Sequence, residues 1–239
     1  MEQQEGPSGQ VPPEDEPALG ALIGRALPDS RPATRASLAS SARIRVVPAH
    51  ETVFAQGEPI PLTLVIRGYG AFRRTTVEGR QLTMGIANPN DLFGYSAITL
   101  GHTPVDLVAL TECEVAIWRG PDLRQLVATD PGFALDVIEQ MAGFLSTLTE
   151  KVDGFLHQDA RRRVVRILAR HRDLFFTDPE VLSRSHLPSL VGTSREMTGR
   201  VLRELEREGV LARVGRTGLR LLRPDRLEAD AAPVARDAS

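Results

Sequence analysis

From Ile44 to Trp118 the hydrophobic positions fall in short runs of β type (RIRVV, TVFA, LTLVI, YGAF, LTMGIA, VDLVAL and EVAIW) separated by turn residues. The separators are regular. Gly57, Gly68, Gly79, Asn90 and Gly101 stand 11 residues apart, and Asn90 is an acceptable substitute for glycine in the left-handed conformation such turns need. A turn at that spacing predicts an antiparallel roll, sandwich or barrel. Ahead of it, Leu19, Leu22, Ile23 and Leu27 repeat with helical period and predict a short helix before Pro28. Residues 1–18, acidic and rich in Pro and Gly, predict a disordered tail.

After the roll the period becomes helical. Asp130-Pro131 supplies an N-cap and a first-turn proline, and the pattern continues to residue 158. Ile138, Met141, Leu145, Leu148, Val152 and Phe155 follow in alternating steps of three and four, the spacing of a coiled-coil seam. Phe133, Val137 and Phe144 form a second stripe, expected to pack back on the roll. Two apolar stripes on one long helix predict that one of them faces a second copy of the chain. The segments are therefore a tail (1–18), a roll with a leading helix (19–129), a dimerisation helix (130–158), a small second domain (159–224) and a flexible tail (225–239).

In the small domain, ARRRVVRILARHRDLF reads as a basic amphipathic helix, and SHLPSLVGTSREMTGRVLRELEREG reads as two helices joined by a tight turn. The first buries Leu187, Leu190 and Val191, with Pro188 confined to its first turn. Gly192 makes the turn, and Thr193 with Glu196 matches the capping box T-x-x-E. The second helix buries Met197, Val201, Leu202 and Leu205 and ends at Gly209. Glu196, Arg200, Arg203 and Arg207 line its opposite face. Such a face fits a DNA major groove, where Arg reads guanine and Glu accepts from cytosine. The bland alternatives are the capping box for Glu196 and i,i+4 pairs with nearby glutamates for Arg203 and Arg207. Arg195, at the exposed first turn, has no evident capping role.

Charge sharpens this division. The net charge of −2 conceals a segregation: residues 44–159 carry 8 basic and 14 acidic groups, and residues 160–223 carry 15 and 7. A basic segment beside an acidic body is the footprint of a nucleic-acid-binding module. Composition is globular, with 41 % hydrophobic and 25 % charged residues. No apolar run approaches the roughly 20 residues of a membrane helix, and the N-terminus lacks a secretory pattern, so a cytoplasmic protein without a membrane span is expected. Cys113, the single cysteine, makes neither an internal disulfide nor a thiolate-held cluster. The five histidines lack metal-ligand spacing, so no metal is expected. G-x-S-x-G, H-E-x-x-H and G-x-x-x-x-G-K-[ST] are absent, and no enzyme is implied.

The run VGTSREMTGRVLRELEREGVL resembles the helix-turn-helix signature of the bacterial Crp/Fnr transcription regulators. TVFAQGE, LVIRGYG, NDLFG and TECEVAIW match that family's roll in the same order, and the likeness spans residues 44–223. It implies an α+β protein: an N-terminal antiparallel β-roll of cyclic-nucleotide-binding type, a long dimerisation helix and a C-terminal winged helix-turn-helix. It further implies a homodimer that reads a two-fold-symmetric site in double-stranded DNA and works with RNA polymerase. The family's base-reading residues carry over to Arg195, Glu196 and Arg200, and its backbone-contacting hydroxyls to Ser183 and Ser194. VLARVGRTGLRLL is the expected wing, a hairpin at residues 215–218.

The roll departs from the family's cyclic-AMP pattern. Where a Gly-Glu pair and an Arg-Ser/Thr-Ala run hold the nucleotide, this chain has Gly94-Tyr95 and Thr103-Pro104-Val105; where Thr-Ser on the dimer helix meets adenine, it has Leu148-Thr149. Losing an arginine contact to a buried phosphate costs about 2–5 kcal/mol. Cyclic AMP is therefore not expected in the standard pocket. Two alternatives stay open: a haem-based gas or redox sensor using His102 or Cys113, and a regulator responding to a cyclic dinucleotide through Arg73, Arg74 and Arg80. A third reading is a regulatory module whose winged helix contacts protein, and the intact Arg195, Glu196 and Arg200 argue against it.

Overall fold

A computed structural model describes residues 18–232, apart from 80, 99, 100 and 119. Arg80 and most of the expected N-terminal tail lie outside the described residues. The chain opens with helices α1 (Leu19–Ala26) and α2 (Pro32–Ser41). Strands β1 (Arg43–Val47), β2 (Thr52–Phe54), β3 (Leu62–Arg67), β4 (Gly70–Thr75), β5 (Gln81–Ala87), β6 (Leu92–Phe93), β7 (Asp106–Ala109) and β8 (Cys113–Trp118) follow. They form two four-stranded antiparallel sheets, ordered β1-β8-β3-β6 and β2-β7-β4-β5. All five periodic turn residues have positive φ, between 70° at Asn90 and 89° at Gly57. At Gly68 a side chain would also run into the Glu112 carbonyl, so glycine is required there twice over.

Strands β3 and β8, central in the first sheet, are buried on both faces, which is why they read as near-continuous apolar runs, whereas the edge strand β1 is exposed at Ile44 and Val46. Leu62, Leu64, Ala116 and Trp118 face a layer built by Leu22, Ile23, Leu27, Leu123 and Phe133, and Val65, Cys113 and Val115 fill the roll interior with Val47, Val53, Phe54 and Leu107. The helical layer comprises α1, α2, α3 (Gly120–Thr129) and the start of α4 (Pro131–His157). Beyond α4 come α5 (Ala160–Arg170), α6 (Arg172–Phe175), α7 (Leu187–Val191), α8 (Arg195–Arg207), the hairpin β9 (Leu211–Val214) with β10 (Gly218–Leu221), and α9 (Pro224–Ala231). Two expectations are corrected. Residues 225–231 are not a loose tail: α9 docks on α5 through Leu227, which is 0 % exposed, and Asp230. Phe144 does not pack on the roll with Phe133 and Val137 but stays exposed: α4 packs on the helical layer through its first turns and meets the roll again at Lys151, on either side of Phe144.

The N-terminal segment is fastened to α4 by two buried carboxylates. Asp136 accepts from the backbone N–H of Asp29 and Ser30 and, at 2.5 Å, from the Ser30 hydroxyl. Asp130 caps α4 through Gly132 and Phe133 N–H and accepts from Arg31 N–H and, at 2.5 Å, from the Thr34 hydroxyl. Burial alone would raise the Asp130 carboxyl, but the bonds from Thr34, Arg31, Phe133 and Gly132 together outweigh it and hold the group below its ordinary range. A depressed native pKa adds stability that is present above the ordinary value of 3.8 and lost as the pH falls through the native value. The melting temperature of the wild type is therefore expected to fall more steeply below that pH than that of Asp130→Asn. Parallel curves in a pH series of thermal unfolding would contradict this.

Candidate nucleic-acid interface

Helices α7 and α8 meet at Gly192, whose φ of 68° is left-handed. A Cβ there would stand 2.5 Å from the Phe155 ring of α4 and 3.6 Å from Leu82 of β5, so the turn is wedged against both the long helix and the roll. The inner face of α8 buries Thr198, Val201, Leu202 and Leu205 against Val164, Val165, Leu168, Leu187 and Leu190. Met197, expected in this core, is only half-buried. The cap differs from the expected Thr193–Glu196 box. Ser194 is the N-cap and its hydroxyl accepts from Met197 N–H at 3.1 Å, one residue later in the chain. Glu196, thereby released, points to solvent and lies 3.5 Å from Arg200.

Arg195, Glu196, Arg200, Arg203 and Arg207 are all exposed along the outer face of α8. The pairs anticipated for Arg203 and Arg207 do not form. Among the described residues neither has an ion pair, because Glu204 and Glu208 face Arg161, and Glu206 lies 2.5 Å from Arg213. Ser194 is exposed while its oxygen caps the helix. Ser183 is different: it is buried, its hydroxyl is 2.7 Å from that of Ser185, and its N–H donates to His186 Nδ1 at 3.0 Å. The wing turns at Gly215, φ 55°, and the Arg184 guanidinium donates to the Arg216 carbonyl at its tip.

The candidate effector residues are spread over several places. Gly94 has φ 94° and sits against the Pro61 carbonyl, where a side chain would collide. Tyr95 packs with the helical layer, and burial, with Asp136 and Asp91 nearby, pushes its phenol well above the usual range. Thr103 is fully buried and donates to the Val105 carbonyl at 2.6 Å. Leu148 is half-buried, and Thr149 donates to the Leu145 carbonyl at 2.9 Å. On β4, Arg73 is half-buried and Arg74 donates to the Pro104 carbonyl at 3.0 Å. Aromatic rings occupy the roll interior: Phe93 lies 4.9 Å from Phe72, edge to face, and 5.9 Å from Phe54. Phe72 fits because its cross-strand partner is Gly85. Cys113 donates to the Tyr69 carbonyl at 3.1 Å, and burial raises its thiol above the usual range.

One junction escaped the sequence reading. The Thr83 hydroxyl of β5 donates to Ser189 of α7 at 3.0 Å, and the Thr83 carbonyl accepts from Lys151 of α4 at 2.5 Å. Burial, with Arg170 nearby, brings the Lys151 ammonium down to about 8. Burial, with Arg170 and Lys151, likewise brings His171 down to about 4. The only signal was that Lys151 is the sole lysine in an arginine-rich chain. With Gly192 wedged into the same contact, Gly192→Ala is expected to lose about 2 kcal/mol of stability or more through left-handed strain and overpacking. Denaturant unfolding checks it, and an unchanged midpoint would contradict the assigned contact.

Comparison with known proteins agrees with this architecture. The cyclic nucleotide-binding domain model matches residues 44–130, and the Crp-like helix-turn-helix domain model matches residues 162–230. The chain is 30 % identical over 198 residues to the CRP-like protein Clp of Xanthomonas campestris, covering 75 % of this chain and 84 % of that one. It is 29 % identical over 188 residues to the cAMP-activated global transcriptional regulator CRP of Salmonella typhimurium, covering 74 % and 89 %. Among solved structures, the c-di-GMP responsive regulator CLP of Xanthomonas campestris superposes with a TM-score of 0.64 at 28 % identity, covering 84 % of this chain and 98 % of that one.

Proposed function

The chain belongs to the Crp/Fnr family of DNA-binding transcription regulators, and on that footing we propose that it is a homodimer reading a two-fold-symmetric DNA site without cyclic AMP in the roll. The observation that carries the reading is α8 itself: an inner face locked into a core and an outer face presenting Arg195, Glu196 and Arg200 to solvent. Arg195 and Arg200 supply forked donors matched to guanine O6 and N7, and Glu196 accepts from cytosine N4. Ser194 donates to a phosphate, and Ser183 shapes the loop before α7 rather than reaching DNA. The seam residues of α4 from Ile138 to Phe155 pair two copies, which places their α8 helices in successive major grooves about one turn apart.

For the roll, what supports independence from cyclic AMP is chemistry and filling together. Neither the Glu nor the Arg of the nucleotide cassette is present, and Phe54, Phe72 and Phe93 pack the interior. A phosphate left unpaired among those rings is heavily penalised. A second reading keeps an anionic effector outside that interior. Arg73 has no ion pair among the described residues and stands on the hairpin that touches α7, and the structurally similar CLP is described as c-di-GMP responsive. Haem has no comparable support in this structure.

In binding assays at fixed salt, Arg195→Ala and Arg200→Ala are each expected to weaken specific binding by about 1–3 kcal/mol and to relax base preference at one position per half-site. Retention of wild-type affinity and preference by both would defeat the reader assignment. Millimolar cyclic AMP is expected to change DNA affinity by less than about tenfold. A micromolar dissociation constant by calorimetry, coupled to a larger gain, would overturn the second half of the proposal.

A further inference from the structure

Helix α8 ends with Glu204, Glu206 and Glu208, and negative charge at a helix C-terminus opposes the helix dipole. All three are compensated from other elements. Arg213 of β9 takes Glu206. Arg161 takes the rest: it makes a forked pair with Glu208 at 2.9 and 2.7 Å, lies 3.9 Å from Glu204, and reaches Asp230 of α9 at 3.3 Å. Its side chain is 32 % exposed and that of Asp230 25 %. This is a half-buried network with one planar hub, which fixes geometry better than an isolated surface pair. The position of the hub matters. Arg161 is in the first turn of α5, immediately after Gln158 and Asp159, where the long helix α4 has just ended.

We propose that Arg161 is a positioning residue for the DNA reader, fastening the C-terminal end of α8 to the exit of the dimer helix and to α9, and so fixing the angle at which Arg195, Glu196 and Arg200 meet the groove. The inference rests on the reading of α8 as the base-reading helix. It also accounts for the charge pattern of that helix: because its glutamates are drawn inward by Arg161 and Arg213, Arg203 and Arg207 remain on the outer face with the reading residues.

The test is a double-mutant cycle on the full chain: Arg161→Gln, Glu208→Gln, the double variant, and Arg161→Lys, which keeps the charge but not the fork. The readout is the ratio of affinities, at fixed salt, for a duplex selected by the wild type from a random pool and for an unrelated duplex. Each single Gln variant is expected to lower the ratio about threefold to tenfold, the double variant to lose no more than either single, and the Lys variant to fall below wild type with its non-specific affinity intact. Glu208 is exposed enough for Glu208→Gln to stay folded, and its thermal unfolding serves as the control. Unchanged ratios in the folded single variants, or a double loss equal to the product of the singles, would overturn the inference. A wild type that prefers no duplex would defeat the reading of α8 itself, and the inference with it.

Discussion

The constraint on which the structure turns is an uncovered apolar stripe on a helix of 27 residues. In α4, Ile138 and Leu145 are 61 % and 63 % exposed, and Met141, Val152 and Phe155 lie along the same side. At about 25 cal/mol per Å² of apolar area, leaving such a row in water forfeits several kcal/mol; Phe155 at its end is partly covered by the Gly192 turn, while Ile138, Met141 and Leu145 are exposed among the described residues. In the proposed dimer, a second copy of the same seam covers it at no cost in new sequence. In that proposal the spacing of the two α8 helices, and with it the symmetry of the DNA site, follows from the pairing.

The rest of the chain holds fixed ends on this helix. Its first turn is tied by Asp130 and Asp136 to residues 29–34, and through them to the helical layer under the roll. Its last turns are tied by Lys151 to Thr83 and by Phe155 to the Gly192 turn. Where α4 ends, Arg161 takes hold of the C-terminal end of α8. Roll, α4 and the α7–α8 pair are thus joined by a few specific contacts at both ends of the long helix. The cores themselves are partly shared: Ala71, Ile86 and Leu110 of the roll pack into the same cluster as Leu187, Leu190 and Val191.

Much of this was legible in the sequence because it rests on local rules. The 11-residue turn spacing identified the roll since each turn needs a left-handed residue, and all five positions have it. The Asp130-Pro131 start and the Gly192 and Gly209 stops marked helices whose ends those residues determine. What was missed depends on tertiary context. The helix α2 (PATRASLASS) is weakly amphipathic and exists through Thr34 and Leu38 docking on α4 and Trp118. The capping box was misplaced by one residue because Thr193 and Ser194 are equally plausible caps, and only the docking of α8 selects Ser194. Helix α9 was mistaken for a tail since its single buried anchor, Leu227, gives no periodic signal. The glutamates of α8 were assigned to their own helix, whereas their partners come from α5 and β9.

Sedimentation equilibrium of the wild type beside Leu145→Asp tests the dimer seam most directly. The wild type is expected at twice the 26.1 kDa chain mass at micromolar concentration, and the variant at the chain mass with its fold retained, because Leu145 is exposed within a single copy. A wild type that stays at 26.1 kDa throughout the micromolar range would contradict the account, since the stripe on α4 would then be without the partner that sets the spacing of the two readers.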